Sequence, residues 1–320
     1  MVLDEAIDLA AGLKGLPVLG GPSGKGWSFY SRAQQCPHLF YQAYVKTEEG
    51  DRRAPHYLQI GGLWHSLLAL YYAAQMKTCA YMNRGLIRSD LIVKNDLFGA
   101  QLANIRPAAP EMLLLELKRM AERAEKMGKP QLAPNMSLVY EAERLFDAHA
   151  NYYGDGREDL EPLAVEWFAR HPELGYTCRY DAIVRVGRND PKMPEGVFIL
   201  EHKTAAYLSE SVTEGWVLDG EILGQLMLWK PSGMEERFGP LRGICIDIVT
   251  KAKVPKFHRV VLPADLPPVK RHEHWIRVLN AEIAMWQATG VYTQRFVSCF
   301  SKFGMCPEFR ACERLAWRSA

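Results

Sequence analysis

The sequence has no cationic excess. Its 39 Lys and Arg face 37 Asp and Glu, for a net charge of +2, so any surface for nucleic acid must be local. No apolar run reaches the roughly 20 residues of a membrane span. The opening "MVLDEAIDLAAGLKGLP" carries acids where an export signal carries a basic flank. These absences predict a soluble, cytoplasmic protein with no membrane partner. Repeats, low-complexity tracts and long linkers are also missing. The cysteine count is odd, at 7, which argues against a disulfide framework in such a chain.

What is present is ordinary globular composition, 48% apolar and 24% charged. The pattern predicts a first helix over residues 2–14 and a Gly/Pro-rich loop. A short helix should start near Ser31, and another after Gly61 and Gly62. "PEMLLLELKRMAERAEKM" and "SLVYEAERLFDAHANYY" follow as amphipathic helices. The period then changes. "PLAVEWFA", "YTCRYDAIVRV" and "GVFILEHKT" read as strands. A helix in "EILGQLMLWK", strands in "GICIDIVTK" and "FHRVVLP", and a long helix ending at Gly290 complete the order. The expected fold is α/β, with an αβββαβ core around a mixed sheet. A single domain, 1–320, is the simplest division: a helical arm and insertion at 1–155, the core at 156–265, and a C-terminal helix with a cysteine tail at 266–320.

The end of "GVFILEHKTA" carries the chemistry. Glu201 and Lys203 are two apart and share a strand face with Val197 and Ile199. On the preceding strand Asp181 shares a face with Ile183. The intervening loop centres near residue 191, so folding back brings Asp181 close to Glu201. Two crowded carboxylates repel, and a hard divalent cation such as Mg²⁺ or Mn²⁺ relieves that repulsion. Two acids, a metal and a lysine suit metal-assisted phosphodiester hydrolysis. Taken alone, the same pattern also describes a surface ion pair at a strand end.

Four ordered segments, spanning residues 60–230, resemble the PD-(D/E)XK nuclease superfamily and its RecB-like group. "GGLWHSL" resembles the group's helix with a metal-binding histidine, here His65. "CRYDAIV" resembles its aspartate strand, with Asp181 as metal carboxylate and Arg179 where glycine is usual. "FILEHKTA" resembles its "[DE]-x-K-T" strand. That makes Glu201 the second carboxylate, Lys203 the catalytic lysine and the backbone carbonyl of His202 a further ligand. "GQLMLW" resembles its Q-x-x-x-Y helix, with Gln225 matched and Trp229 in place of tyrosine. Glu166 matches an acid that often precedes the aspartate in this group. Each residue also has a plainer reading: a core histidine for His65, helix packing for Gln225 and Trp229, a solvated strand acid for Glu166. The resemblance implies a restriction-endonuclease-like fold and a metal-dependent DNA exonuclease. Its default substrate is a single-stranded end and its product carries a 5′-phosphate. Stand-alone chains of this kind occur in phages and in recombination or CRISPR-related systems. The alternative is a module of the same fold that holds DNA ends or a partner without cutting.

The cysteines are unevenly placed. Cys79, Cys178 and Cys245 sit alone in apolar segments, as buried free thiols do. "CFSKFGMCPEFRAC" gives C-x6-C-x5-C from Cys299, Cys306 and Cys312. Cys36 has the company expected of a fourth partner. This layout resembles the iron–sulfur branch of the RecB-like nucleases, the AddB-type and CRISPR-adaptation-type enzymes, in which one cysteine before the core and three after it hold a 4Fe–4S cluster. The branch has two residues between the first two C-terminal cysteines, where this chain has six. Four thiolates serve zinc equally, and unrelated free thiols are the third reading.

"GGPSGKG" fails the phosphate-loop pattern. The spacing from Gly20 to Gly24 is one residue short, and Gly26 stands where the hydroxyl belongs. Lys25 is left to a nucleic-acid backbone or to solvent. His272 and His274, in "HEH", read as a solvated helix surface. Lys251, Lys253, Lys256 and Arg259 form a local basic segment suited to phosphates. Trp27, Phe29 and Tyr30 suit stacking on unpaired bases, or a core.

Overall fold

The computed structural model describes residues 25–46, 56–75, 109–126, 128, 135–154, 158–301, 304–306, 308–310, 312 and 313. The helix expected over 2–14, Cys79 and the rest of residues 77–108 lie outside them.

Five largely buried strands form a mixed sheet in the order β1-β2-β3-β4-β5. The strands are β1 (Leu160–Arg170), β2 (Thr177–Val186), β3 (Gly196–Ala205), β4 (Leu241–Thr250) and β5 (Phe257–Pro263). β3 and β4 are parallel, and the other neighbouring pairs are antiparallel. The apolar runs of β3 and β4 are buried on both faces, as the middle of a covered sheet requires. The register pairs Ala182 with Leu200 and Ile183 with Ile199. It is centred on residue 191, the turn point expected from the loop.

Helices cover both faces. On the first lie α1 (Trp27–Gln35), the short α2 (Pro37–Phe40), α7 (Gly220–Leu228) and α9 (Pro268–Thr289). They pack with Trp167, Tyr180, Ile199 and Ile246. On the second lie α3 (His56–Gln75), α4 (Ala109–Lys126) and α5 (Met136–Tyr153), whose core includes Trp64, Leu68, Leu145, Ala182 and Leu200. Two short helices, α6 (Glu210–Glu214) and α8 (Met234–Phe238), flank α7. The element order is the expected αβββαβ. Among the described residues, no helix is long and apolar enough to cross a membrane.

Three local expectations need correction. The short helix begins at Trp27, not near Ser31, and breaks at Cys36, whose backbone is extended. The cause is Pro37, because the residue before proline is driven out of the helical region. α3 starts at His56, five residues before the glycines. Packing of Ile60, Trp64 and Leu67 outweighs the cost of about 1 kcal/mol for a glycine inside a helix. Finally, side-chain alternation slips in β1 and β2. Ala164 and Trp167 enter the same core although three apart, as do Tyr180 and Ile183. Between them Glu166 has φ +49°, and such an irregularity twists a strand locally. Asp181 therefore leaves the face of Ile183 and turns to His65 of α3.

The seat of α7 on the sheet is tight. A Cβ on Gly224 would lie 2.0 Å from the hydroxyl oxygen of Tyr176. That ring is buried and stacked on Tyr30 at 5.3 Å, so it has no room to retreat. Gly224→Ala should cost about 1–3 kcal/mol through overpacking. Urea unfolding should show a lower midpoint with an unchanged slope, and an unchanged midpoint would contradict the close contact.

Candidate active site

Three elements converge at the C-terminal half of β3. From the sheet's second face, α3 delivers His65, whose Nδ1 is 3.1 Å from Asp181 Oδ1. The other Asp181 oxygen accepts the backbone N–H of His202 at 2.8 Å. Glu166 completes a group in which one donor atom each of His65, Glu166 and Asp181 lies within 4.8 Å of the others. An imidazole and two carboxylates at that spacing are a donor set for a divalent cation. The protein supplies them from a helix and two adjacent strands.

Glu201 sits beside this group but faces elsewhere. It is 2% exposed and accepts from Lys203 Nζ and, at 2.7 Å, from Gln225 Nε2. Lys203 also donates to Glu221 at 2.8 Å. Gln225 Oε1 is buried and has no partner among the described residues, which leaves a spare acceptor at the site. The structure thus gathers His65, Asp181, Glu201, Lys203 and Gln225. Its compact trio, however, contains Glu166 where Glu201 was expected, and Glu166 is not the solvated acid of the plainer reading, being 6% exposed. Arg179 has its Nε 4.0 Å from Glu166, so the off-pattern residue is a charge neighbour of that acid.

Sequence reasoning missed Glu221. The signal was there: Glu221 and Gln225 are four apart and so share a helix face. Asp219 caps this helix by accepting from the N–H groups of Glu221 and Ile222. One turn of α7 therefore presents both side chains to β3.

Crowding shapes the charges. Burial, then the Asp181 carboxylate, pushes Glu201 up to about 8. The same two causes push Glu166 up to about 8. Burial opposes ionisation of Asp181, yet His65 holds its carboxyl well below the usual range. For His65 burial works downward, but Asp181 prevails and raises it to about 9. Lys203 is likewise lowered by burial and raised further by Glu201 and Glu221, ending well above the ordinary lysine value.

His202, expected to offer its backbone carbonyl, turns its side chain to a separate buried network. Its Nδ1 and His149 Nε2 stand 3.4 and 3.6 Å from Asp247 Oδ2. Tyr153 donates to the other oxygen at 2.9 Å, and Arg259 Nε lies 3.3 Å from it. Arg259 also pairs with Glu158. It is therefore a structural ion-pair partner, only 4% exposed along its side chain, and not one of a basic row for phosphates. Lys253 and Lys256 do remain exposed. Phe29 and Tyr30 are core residues, at 8% and 0% exposure, and His272 is buried as well; only its neighbour His274 is exposed. Trp229 is buried and donates to the carbonyl of Gly239, away from the lysine.

The four cysteines line one cavity. Cys36, at the break between α1 and α2, accepts the backbone N–H of Arg295 on its sulfur at 3.4 Å. Between Cys299 and Cys306, β6 (Phe300–Ser301) pairs antiparallel with β7 (Gly304–Met305). At the base of this pair Cys306 N–H donates to the Cys299 carbonyl at 2.7 Å. The unusual spacing thus brings these two residues together. Burial and the neighbouring thiols push Cys299 and Cys312 up. The four thiols are thus neighbours around one cavity, more widely spaced than the donor atoms of His65, Glu166 and Asp181. Cys178 and Cys245 are buried alone.

No protein-family model matches the chain, and no curated protein matches it in sequence. Among solved structures it is similar to that of a candidate exonuclease from Eubacterium rectale. The likeness covers 91% of this chain and 86% of that one, at 10% identity and a TM-score of 0.40. At that level it says nothing of chemistry, which the side chains themselves have to supply.

The charge pattern has a measurable sign. Without a cation, the raised Glu166 and Glu201 hold protons that the unfolded chain has released above about pH 4.5, and His65 stays charged up to about 9. All three contributions to stability are lost as pH rises toward 8 and 9. A divalent cation replaces these protons. The increase in melting temperature on adding Mn²⁺ should therefore grow between pH 6 and 8.5. A shift independent of pH would contradict this charge assignment.

Proposed function

We propose that this chain is a metal-dependent nuclease that hydrolyses phosphodiesters in DNA, acting by default as an exonuclease on single-stranded ends. One observation carries the reading: an ammonium, Lys203, lies between two acids immediately beside a cation-sized trio of His65, Glu166 and Asp181. A solvated ion pair has no need of such a trio, and a structural metal site has no need of the lysine. When bound, Mg²⁺ or Mn²⁺ supplies Lewis-acid polarisation of the phosphate and an activated water. His65, Asp181 and Glu166 would hold the ion, Glu201 lies beside them, and the His202 carbonyl would be a further ligand. Lys203 orients the attacking water or steadies charge on phosphorus. Gln225 holds Glu201 in place and keeps its own oxygen for substrate or water.

The four sulfurs of Cys36, Cys299, Cys306 and Cys312 are read as ligands of a 4Fe–4S cluster, with zinc as the alternative. What supports this reading is that the four residues line one cavity, reached from both ends of the described chain. Bound there, the group supplies structure: it clasps α1 and α2 to the C-terminal tail.

Lys203→Ala should lower turnover by at least about 100-fold, the usual loss on removing a transition-state donor. The measurement is a time course with Mn²⁺ or Mg²⁺ on end-labelled and circular single-stranded DNA, which also separates exonuclease from endonuclease action. Equal turnover by both proteins would remove Lys203 from the chemistry. Retained DNA binding without cleavage by the wild type would favour the non-cutting module. Protein purified without oxygen should be brown and lose its colour in Cys36→Ala. Colourless protein with one zinc per chain would replace the cluster by zinc.

A further inference from the structure

A groove of about 580 Å³ lies against the start of α7, on the first face of the sheet. Trp27, His272 and Trp275 line it, with ring centroids 5.5–5.9 Å apart. Arg271 stands exposed at its rim. The floor includes Gly220, where an added Cβ would lie 2.1 Å from the Trp27 ring. Glycine is thus needed for the indole to reach α7. His272 is 8% exposed, and its Nε2 has no hydrogen-bond partner among the described residues. That nitrogen is closed off by the packing around it, so His272 contributes its ring to the groove wall and no hydrogen-bonding group.

We infer that this groove is a binding subsite for an unpaired nucleobase of a single-stranded polynucleotide. The aromatic walls offer π-faces for stacking, which every base can meet. The Arg271 guanidinium complements the phosphate attached to that base. His272, pushed down to about 4 by burial, is a neutral imidazole at pH 7. Its uncharged ring extends the aromatic wall formed with Trp27 and Trp275. An apolar peptide segment or a lipid tail would not use the cation.

The position suits the reading of the site, on which this inference rests. α7 is the wall shared by both. Gly220 and Leu223 line the groove, while Glu221 and Gln225 hold Lys203 and Glu201. A helix with its side chains is about 10 Å across. A strand lying over the start of α7 would have one base in the groove and a nearby phosphate at the lysine. The subsite therefore selects unpaired ends, because a paired base cannot leave its stack without cost.

The test measures binding separately from cleavage. The Lys203→Ala protein, in Ca²⁺ buffer, is titrated with a labelled oligo-dT, the same oligomer with abasic sites, and a blunt duplex. Adding Trp275→Ala should weaken oligo-dT binding by about 5- to 100-fold, the range for one stacked base. Adding Arg271→Ala, at an exposed position, should lower the salt slope by about one. The abasic oligomer should bind the unsubstituted groove as weakly as oligo-dT binds the Trp275→Ala protein. Unchanged affinity in both variants overturns the subsite, as does an equal loss for oligo-dT and blunt duplex. Failure to bind any single strand, or a groove variant that instead dissociates a dimer, overturns it too. Turnover of bis(p-nitrophenyl) phosphate by wild type, which has no base, tests the nuclease reading independently.

Discussion

Lys203 is the constraint around which the rest is arranged. Its ammonium ends a strand that is buried on both faces, in a place where an unpaired cation would be expelled. Two acidic side chains hold it there. One, Glu201, is on the same strand face, and the other, Glu221, comes from the first turn of α7. The second depends on the cap by Asp219 and on the close seat of Gly220 and Gly224. The geometry at the lysine is thus set by how tightly one helix meets the sheet. His65 and Asp181 then place a second, oppositely balanced charge group alongside.

The two cores contribute differently. The second core provides the imidazole through α3, and beneath it the Asp247 network fixes the other side of β3. There burial alone would raise the carboxyl, but Arg259 keeps it well below its usual range. The first core provides Glu221 and Gln225. β3 is the seam between them. Its residues alternate between Glu201 and Lys203, which meet Glu221 and Gln225, and His202, which meets the Asp247 network.

Much of this was legible in the residues. The strands could be read because their apolar runs are long and bounded by polar loops. The D…E-x-K spacing could be read because strand faces alternate with period two. Three things were not legible. The trio includes Glu166 because a positive φ at that residue shifts the alternation, and no local pattern signals a left-handed glutamate. Arg259 looks like its neighbouring lysines in sequence and differs only by its buried partners. His272 reads as part of a charged helix surface until Trp27 and Trp275 close over it. In each case the missing information was tertiary.

α1 has its first residue against Gly220 and its last one next to Cys36. Nine helical residues form a stiff spar of about 14 Å. The sulfur cavity and the start of α7 are therefore the two ends of one rod. The thiol-lined cavity thus stands one short helix away from the helix that grips the lysine.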